Sequence, residues 1–564
     1  MSASTAPSAA ALLVVAVVAV LAASCGETTI AVFQTSADAG IEAGPRDGDV
    51  PPMGDGDTKM CVCEKGQRCV RGACACPPYE TLCDGACVPT SADPKHCGAC
   101  DITCTGSLAC SAGVCSSSCV GGQLVCNNSC VDPKVDNAHC GACGTACGAG
   151  AGCVDGQCQP TVVLGPDPDM CEGRGPPIIE TSMQGGCLGN LAQSMFRWAL
   201  CSCKDVRGGQ LTTDGYDSRT GPYGPGGLAG GVAMNGNFVP TKAADIGGTL
   251  WVSATGSGLT IATASSVKQD LRVGGAVTTT APLAIGHDAY VQGSISGGAL
   301  LTIKGTLFLT PNATLGANAT YGALVREPVT VPAPCDCSKK LNVRPLVVAH
   351  GMPAGNDDAL VRLAPAVLDG LSGPRRLDLP CGRYYVTRIA TTFPLTIIAH
   401  GRTALYVDGD VTSTAALTLA PTPGAELDVF IAGNLSASGA LSIGSPSYAG
   451  STRVYVAAKT TISSSAASIA GNLHAAGGAL TLAAPEVYGA IVAGDFTGSA
   501  AQALHYDRAV LSAGNACPSA TTCNSCEDCG NQACKGGTCG ACASSAECCA
   551  PLACTSGRCV ASLP

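Results

Sequence analysis

The sequence predicts an all-β protein, a β-helix or solenoid body flanked by small disulfide-rich modules. Three observations predict it. The first is a phrase that recurs between about 234 and 511: an apolar residue, any residue, Gly, Asn or Asp, then another apolar residue. It reads Met234-Asn235-Gly236-Asn237-Phe238, Val407-Asp408-Gly409-Asp410-Val411, Ile431-Ala432-Gly433-Asn434-Leu435, Ile469-Ala470-Gly471-Asn472-Leu473 and Val492-Ala493-Gly494-Asp495-Phe496. Its last four glycines are 24, 38 and 23 residues apart. Strand, tight turn and strand at a period near 23 is the signature of stacked coils. The second is composition: 73 Gly in 564 residues, 46% apolar residues, 4% aromatic and only 13% charged. Small and β-branched residues suit narrow, repetitive cores. The third is the 39 cysteines, clustered outside the repetitive tract. Thiols at that density predict disulfides in an oxidising compartment.

The N-terminus predicts export. Residues 11–22 form a 12-residue apolar run, shorter than the ~20 residues that span a bilayer. Leu21-Ala22-Ala23-Ser24-Cys25-Gly26 follows and resembles a bacterial lipobox. The resemblance implies cleavage after residue 24 and lipid on Cys25. Gly26, rather than Asp, implies sorting to the outer membrane of a Gram-negative cell. An ordinary secretory signal is the alternative. Without Cys25, 38 cysteines remain, an even number that can all pair. Residues 25–60, with Pro51-Pro52 and Gly54-Asp55-Gly56-Asp57, read as a flexible acidic linker.

Residues 61–158 are cysteine-rich repeats. Cys83, Cys87, Cys97, Cys100, Cys104, Cys110 and Cys115 recur, each 43 residues on, as Cys126, Cys130, Cys140, Cys143, Cys147, Cys153 and Cys158. Seven matched positions mark a tandem duplication. Cys61 to Cys76 reads as a partial unit. A module this small has too little core to fold alone, so bridges of ~2–4 kcal/mol each must substitute for one. Spacing leaves their connectivity open. Cys97-x-x-Cys100 beside His96, and Cys140-x-x-Cys143 beside His139, could also be zinc half-sites. The units resemble the Stig1-like cysteine-rich family, with His96 and His139 standing where that family has Asn. The resemblance implies a disulfide module with an interaction role and no activity.

Residues 159–229 read as a connector and solenoid cap, with a short amphipathic helix over 189–200 carried by Leu188, Leu191, Ala192, Met195, Phe196 and Ala199. The solenoid is expected over 230–515, interrupted at 346–381. Its second half, roughly 355–515, resembles a domain of unknown function of bacterial surface and pilus-associated proteins. The likeness rests on Cys381-Gly382-Arg383-Tyr384-Tyr385, Ala404-Leu405-Tyr406-Val407-Asp408-Gly409-Asp410, residues 425–435, residues 487–491 and Leu504-His505-Tyr506-Asp507. It implies a right-handed β-helix at the cell surface and brings no catalytic residues.

Residues 516–564 read as a disulfide-rich knot. Cys523, Cys526, Cys529 and Cys534 have a spacing near that of an iron–sulfur site, but export disfavours a cluster. Cys539, Cys542, Cys548, Cys549, Cys554 and Cys559 resemble the Dickkopf-type or knottin pattern. The central tract holds seven cysteines, including Cys201, Cys203, Cys335, Cys337 and Cys381, and the C-terminal block holds 11. Both are odd, so if all pair and the 20 cysteines of 61–158 pair among themselves, at least one bridge joins the two blocks, and Cys517 is the expected partner.

A net charge of −10 argues against nucleic acid, which needs a basic face. Many β-helices cleave acidic polysaccharides with clustered carboxylates and a basic residue. The candidates here are Asp357 with Asp358, Asp408 with Asp410, His505 with Asp507, and Arg383. Each has a plainer reading. Asp410, Asn434, Asn472 and Asp495 are one repeated turn position. Glu426 and Asp428 are expected on a solvated strand face, and His505-Tyr506-Asp507 is expected to close the last coil. The sequence thus implies no catalytic residues, metal or cofactor. The expectation is a non-enzymatic surface lipoprotein, structural or adhesive, with the membrane and a glycan or surface protein as partners. The alternative is a surface polysaccharide lyase or hydrolase.

Overall fold

A computed structural model describes residues 80–163 and 187–513 apart from short gaps, and isolated strands at 68–75, 179–181 and within 533–561. Cys25, the 25–60 linker, Cys517, Cys523, Cys526 and Cys529 lie outside the described residues. The body is a β-solenoid. Each coil contributes three short strands, and like strands of successive coils pair in parallel. Coils are shorter in the first half, where Leu250, Leu271, Ala289 and Leu307 lie 21, 18 and 18 residues apart on one face. In the second half, Leu405, Val429 and Val454 lie 24 and 25 apart.

The coils do not stack in sequence order. The coil at 200–216 pairs forward with the coil at 232–246. Its other edge pairs with the last coil of the second half: Leu200 with Ile491, Val206 with Phe496, Leu211 with Gln502. The stack therefore runs from 375 to 507, continues at 200, and ends at 326. One core column crosses this seam without a break: Val411, Leu435, Thr460, Leu480, Phe496, Val206, Phe238, Leu259, Val277 and Ile295. This corrects two sequence expectations. Coils begin at Leu200, not near 230, and residues 189–203 do not cap an open end, because the coil at 491–507 lies against them. The helix there is only Leu191–Met195. Likewise His505-Tyr506-Asp507 closes no end. It pairs with Asp214-Gly215-Tyr216 at the seam.

Residues 327–374 carry the chain back along the outside as a strap. Glu327 N bonds Leu309 O, the Trp251 indole donates to Pro332 O, and Cys335 and Cys337 form disulfides with Cys201 and Cys203. The interruption expected at 346–381 is part of this return, but the return starts earlier, at 327, and the solenoid already begins at Arg375. The helices of the return are Val343–His350 and Asp358–Val361.

The strap follows an outward-facing column at one position of each coil. From Tyr385 it runs through Tyr406, Phe430, Tyr455, His474, Val492, Cys201 and Ala233 to Trp251, Arg272, Tyr290 and Phe308. The His350 ring stacks on Tyr406 at 3.9 Å, Tyr406 on Phe430 at 5.2 Å, and Phe430 on Tyr455 at 4.8 Å. Parallel pairing without offset places like side chains one above another, which favours such ladders.

The second cysteine repeat packs on the body. Its last strand, Gln157–Val163, pairs with 151–154 and then, in parallel, with Arg375–Leu379, the first strand of the stack. Arg376 is buried there and donates to the carbonyls of Val135 and Cys153. This repeat therefore caps one end of the solenoid. Among the described residues no helix is long and apolar enough to cross a membrane.

Candidate functional site

The repeats share one connectivity. Cys76–Cys87, Cys83–Cys100, Cys97–Cys110 and Cys104–Cys115 are matched by Cys119–Cys130, Cys126–Cys143, Cys140–Cys153 and Cys147–Cys158. Each repeat thus has eight cysteines. Cys76 belongs to the first and not to a partial unit. Cys119 also keeps the 43-residue offset, a signal the seven-cysteine reading missed. The sulfurs of the supposed zinc half-sites are all in bridges. His96 Nδ1 accepts from Asp101 N at 3.3 Å and His139 Nδ1 from Gly144 N at 2.9 Å, so each imidazole holds a turn. Cys381 and Cys542 are also disulfide-bonded.

The recurring Gly-Asn or Gly-Asp is a ladder at one corner of the coil. Asp410 Oδ1 accepts from Asn434 N at 2.7 Å, Asn434 Oδ1 from Lys459 N at 3.2 Å, and Asp205 Oδ1 from Asn237 N at 2.8 Å. Each side chain thus satisfies the backbone of the next coil. The glycine is required by close approach: a methyl on Gly433 would lie 2.6 Å from Gly409 C. Asn472 is an exception to the repeated position. It is buried opposite Arg453 and holds Ala449 O, Thr452 O and Ala490 N.

Of the candidate catalytic groups, the structure gathers Asp357, Asp358, Arg383 and Asp408 where the strap meets the solenoid. Asp357 Oδ2 accepts from Arg383 N at 2.8 Å, and the Arg383 guanidinium lies 3.6 Å away. Asp358 Oδ1 accepts from Tyr385 N at 3.0 Å, and the Tyr385 hydroxyl donates to Asp408 Oδ2 at 3.1 Å. Burial, with repulsion from Asp357, pushes the Asp358 carboxyl up to about 6. Two carboxylates here accept from the backbone of 383–385, which fits anchoring of the strap. Asp410, His505 and Asp507 lie elsewhere.

At the seam, His505 Nδ1 and Asp214 Oδ1 are 2.7 Å apart, and the Tyr223 hydroxyl donates to Asp214 Oδ2 at 2.7 Å. These hydrogen bonds outweigh burial and hold the Asp214 carboxyl below its usual range. Asp507 is fully buried and accepts from Ser218 N, Ser218 Oγ, Gly450 N and Ala509 N at 2.7–3.1 Å. It binds three segments that are distant in sequence. Two small cavities lie near this junction, about 10 Å³ beside Leu211, Phe238 and Phe496, and about 20 Å³ beside Trp198, Cys201 and Pro334. Each has room for about one water.

Glu426 and Asp428 do not face solvent, contrary to the sequence expectation. Both are buried, and both pair with Arg453, which is fully buried. Arg453 Nε lies 2.7 Å from Asp428 Oδ1 and Nη2 lies 2.7 Å from Glu426 Oε2, while Nη1 donates to Gly450 O at 2.8 Å. Burial works against the Arg453 charge, but the two carboxylates more than offset it. Burial pushes the Asp428 carboxyl up against the pull of Arg453. The sheet carrying them has no solvated face because residues 343–350 and 446–451 lie over it.

The comparisons match two stretches of this architecture. Residues 365–512 match a domain of unknown function (DUF7305), and they cover the half of the stack that runs from the capped end to the seam. Residues 111–161 match the stigma-specific STIG1-like protein family, and they cover the second cysteine repeat with its docking strand. No curated protein and no solved structure matches the chain.

Proposed function

We propose that this chain is a non-enzymatic cell-surface lipoprotein whose solenoid is a rigid structural or adhesive projection. The permuted stack carries this reading. Neither end of the solenoid is a chain terminus, and the first coil is held inside by coils on both sides. An ordinary solenoid frays from its terminal repeats. Here fraying at the capped end must first release Arg376 from the cysteine repeat, and the strap is tied to an interior coil by two disulfides. The candidate carboxylates support the same reading. Asp357, Asp358, Asp410 and Asp507 each accept backbone N–H groups, and Glu426 and Asp428 are sealed against Arg453. The lipobox at Cys25 supplies the anchor. More than one acyl chain gives stable membrane attachment.

The test uses the full chain, because 157–163 is a strand of the body. Incubation with acidic and neutral polysaccharides, with and without calcium, should leave chain length unchanged. Retention of one glycan would identify the adhesive ligand. Shortened chains, lost on changing Asp357 and Asp358 to Asn, would make this an enzyme instead. Labelled fatty acid should enter the wild-type chain and not Cys25→Ser.

A further inference from the structure

The two ends of the solenoid are not equivalent. One is covered by the disulfide module. At the other, the last strand is Ala319–Arg326, and among the described residues it pairs only with Leu301–Leu309. Its residues continue core columns. Ile303 lies beneath Tyr321 and Leu307 beneath Leu324. Ile303 and Leu307 are 2% and 0% exposed, yet Tyr321 is 38% exposed and Leu324 is half-exposed. Among the described residues, no further coil covers the core at this end. The strand has no charge before Arg326 and no proline, so it lacks the usual protection against pairing.

We propose that this end docks on the same end of a second copy, forming a two-fold, end-to-end dimer. The strand wraps a corner of the coil: 301–303 continue one face of the solenoid, 307–309 continue the next, and the register shifts between them. Gly322 lies at that corner. A two-fold axis through the corner, between Gly322 and Ala323, reverses the strand onto its mate and exchanges the two faces. It sets Tyr321 opposite Leu324, Thr320 opposite Val325 and Ala319 opposite Arg326. No like charges oppose one another, and both apolar ends are covered. Head-to-tail stacking is blocked by the module on the other end, so assembly closes at two and forms no fibre.

Light scattering on the full chain, with intact disulfides and Cys25→Ser to keep it in solution, should give twice the chain mass at micromolar concentration. Tyr321→Asp should raise the dissociation constant at least tenfold, with an unchanged melting temperature below that constant. Thr320→Glu should weaken the dimer similarly, and Thr320→Glu with Val325→Arg should restore it, since each Glu then faces the partner copy's Arg. A monomeric wild-type chain would overturn the proposal. So would a dimer indifferent to Tyr321→Asp, or one in which the added Arg restores nothing.

Discussion

Asp214 and His505 are 291 residues apart in sequence and 2.7 Å apart in space. They sit opposite one another on adjacent coils, in parallel register, at the place where the second half of the chain is laid beneath the first. The seam they mark is continuous with the sheets on either side, so its stability is that of an internal coil.

Asp507 is the polar centre of that seam. Asp507→Ala removes the acceptor of four buried donors, and each unsatisfied donor costs ~1–3 kcal/mol, with partial relief by rearrangement. A loss of about 3–5 kcal/mol is expected, read from the fall in the denaturant midpoint. Asp507→Asn, which keeps one acceptor oxygen, should lose less.

The paired disulfides predict a non-additive result. Cys201–Cys335 and Cys203–Cys337 each close a sequence separation of 134 residues, but either one alone already joins the strap to the coil. A loop of this length is worth ~5 kcal/mol in the chain-entropy model, whereas the second bridge closes only a few more residues. Removing one pair as Cys→Ser should cost roughly 1–2 kcal/mol. Removing both should cost about 5 kcal/mol, read by thermal or denaturant unfolding.

Arg453→Ala should be the most damaging single change at the buried trio. It leaves Glu426 and Asp428 sealed without their shared cation, a loss of ~3–5 kcal/mol. Replacing all three by apolar residues of similar volume would strand Arg402, which is buried opposite Glu426, so the cost falls only when Arg402 is replaced with them. If Arg453→Ala unfolds no earlier than wild type in denaturant, the trio does not hold this sheet.

Asp358 sets a pH dependence with a defined sign. Its folded carboxyl titrates at about 6, above the 3.8 of the unfolded chain. Between those values the folded state binds more protons, so this group's contribution is present at low pH and is lost as pH rises through 6. Asp358→Asn should flatten the wild-type decline between pH 4 and 6 by about 1–2 kcal/mol, a figure reduced for solvent screening. Unfolding midpoints measured across that range check it.

The solenoid and the duplicated cysteine repeat were legible because both are periodic in sequence. Gly409-Asp410, Gly433-Asn434 and Gly494-Asp495 mark one corner of the coil, and 43 residues separate the two repeats. The order of stacking was not legible. Val206 accepts Phe238 on one side and Phe496 on the other, and any column of apolar residues would serve equally. What selects the arrangement is nonlocal: Cys335 meeting Cys201, and Arg376 reaching the carbonyls of 135 and 153. Glu426 and Asp428 were misread for the same reason. Their alternate spacing marks one strand face, but the segments over it are 343–350 and 446–451, and burial by a remote segment leaves no local signature. Among the catalytic candidates, the sequence named groups that do meet, Asp357, Asp358, Arg383 and Asp408, without showing that they meet as a strap anchor.

The order in which this chain leaves a ribosome differs from the order in which it stacks. The coils at 200–326 emerge first, with both faces of their stack open, and one of those faces belongs to residues that emerge nearly three hundred positions later. The body cannot seal its centre until residues 491–507 arrive. A premature stop a few coils early would therefore delete the middle of the column and not its tip. Nascent chains of intermediate length therefore carry an unpaired edge at 200–216 that only the last coil covers.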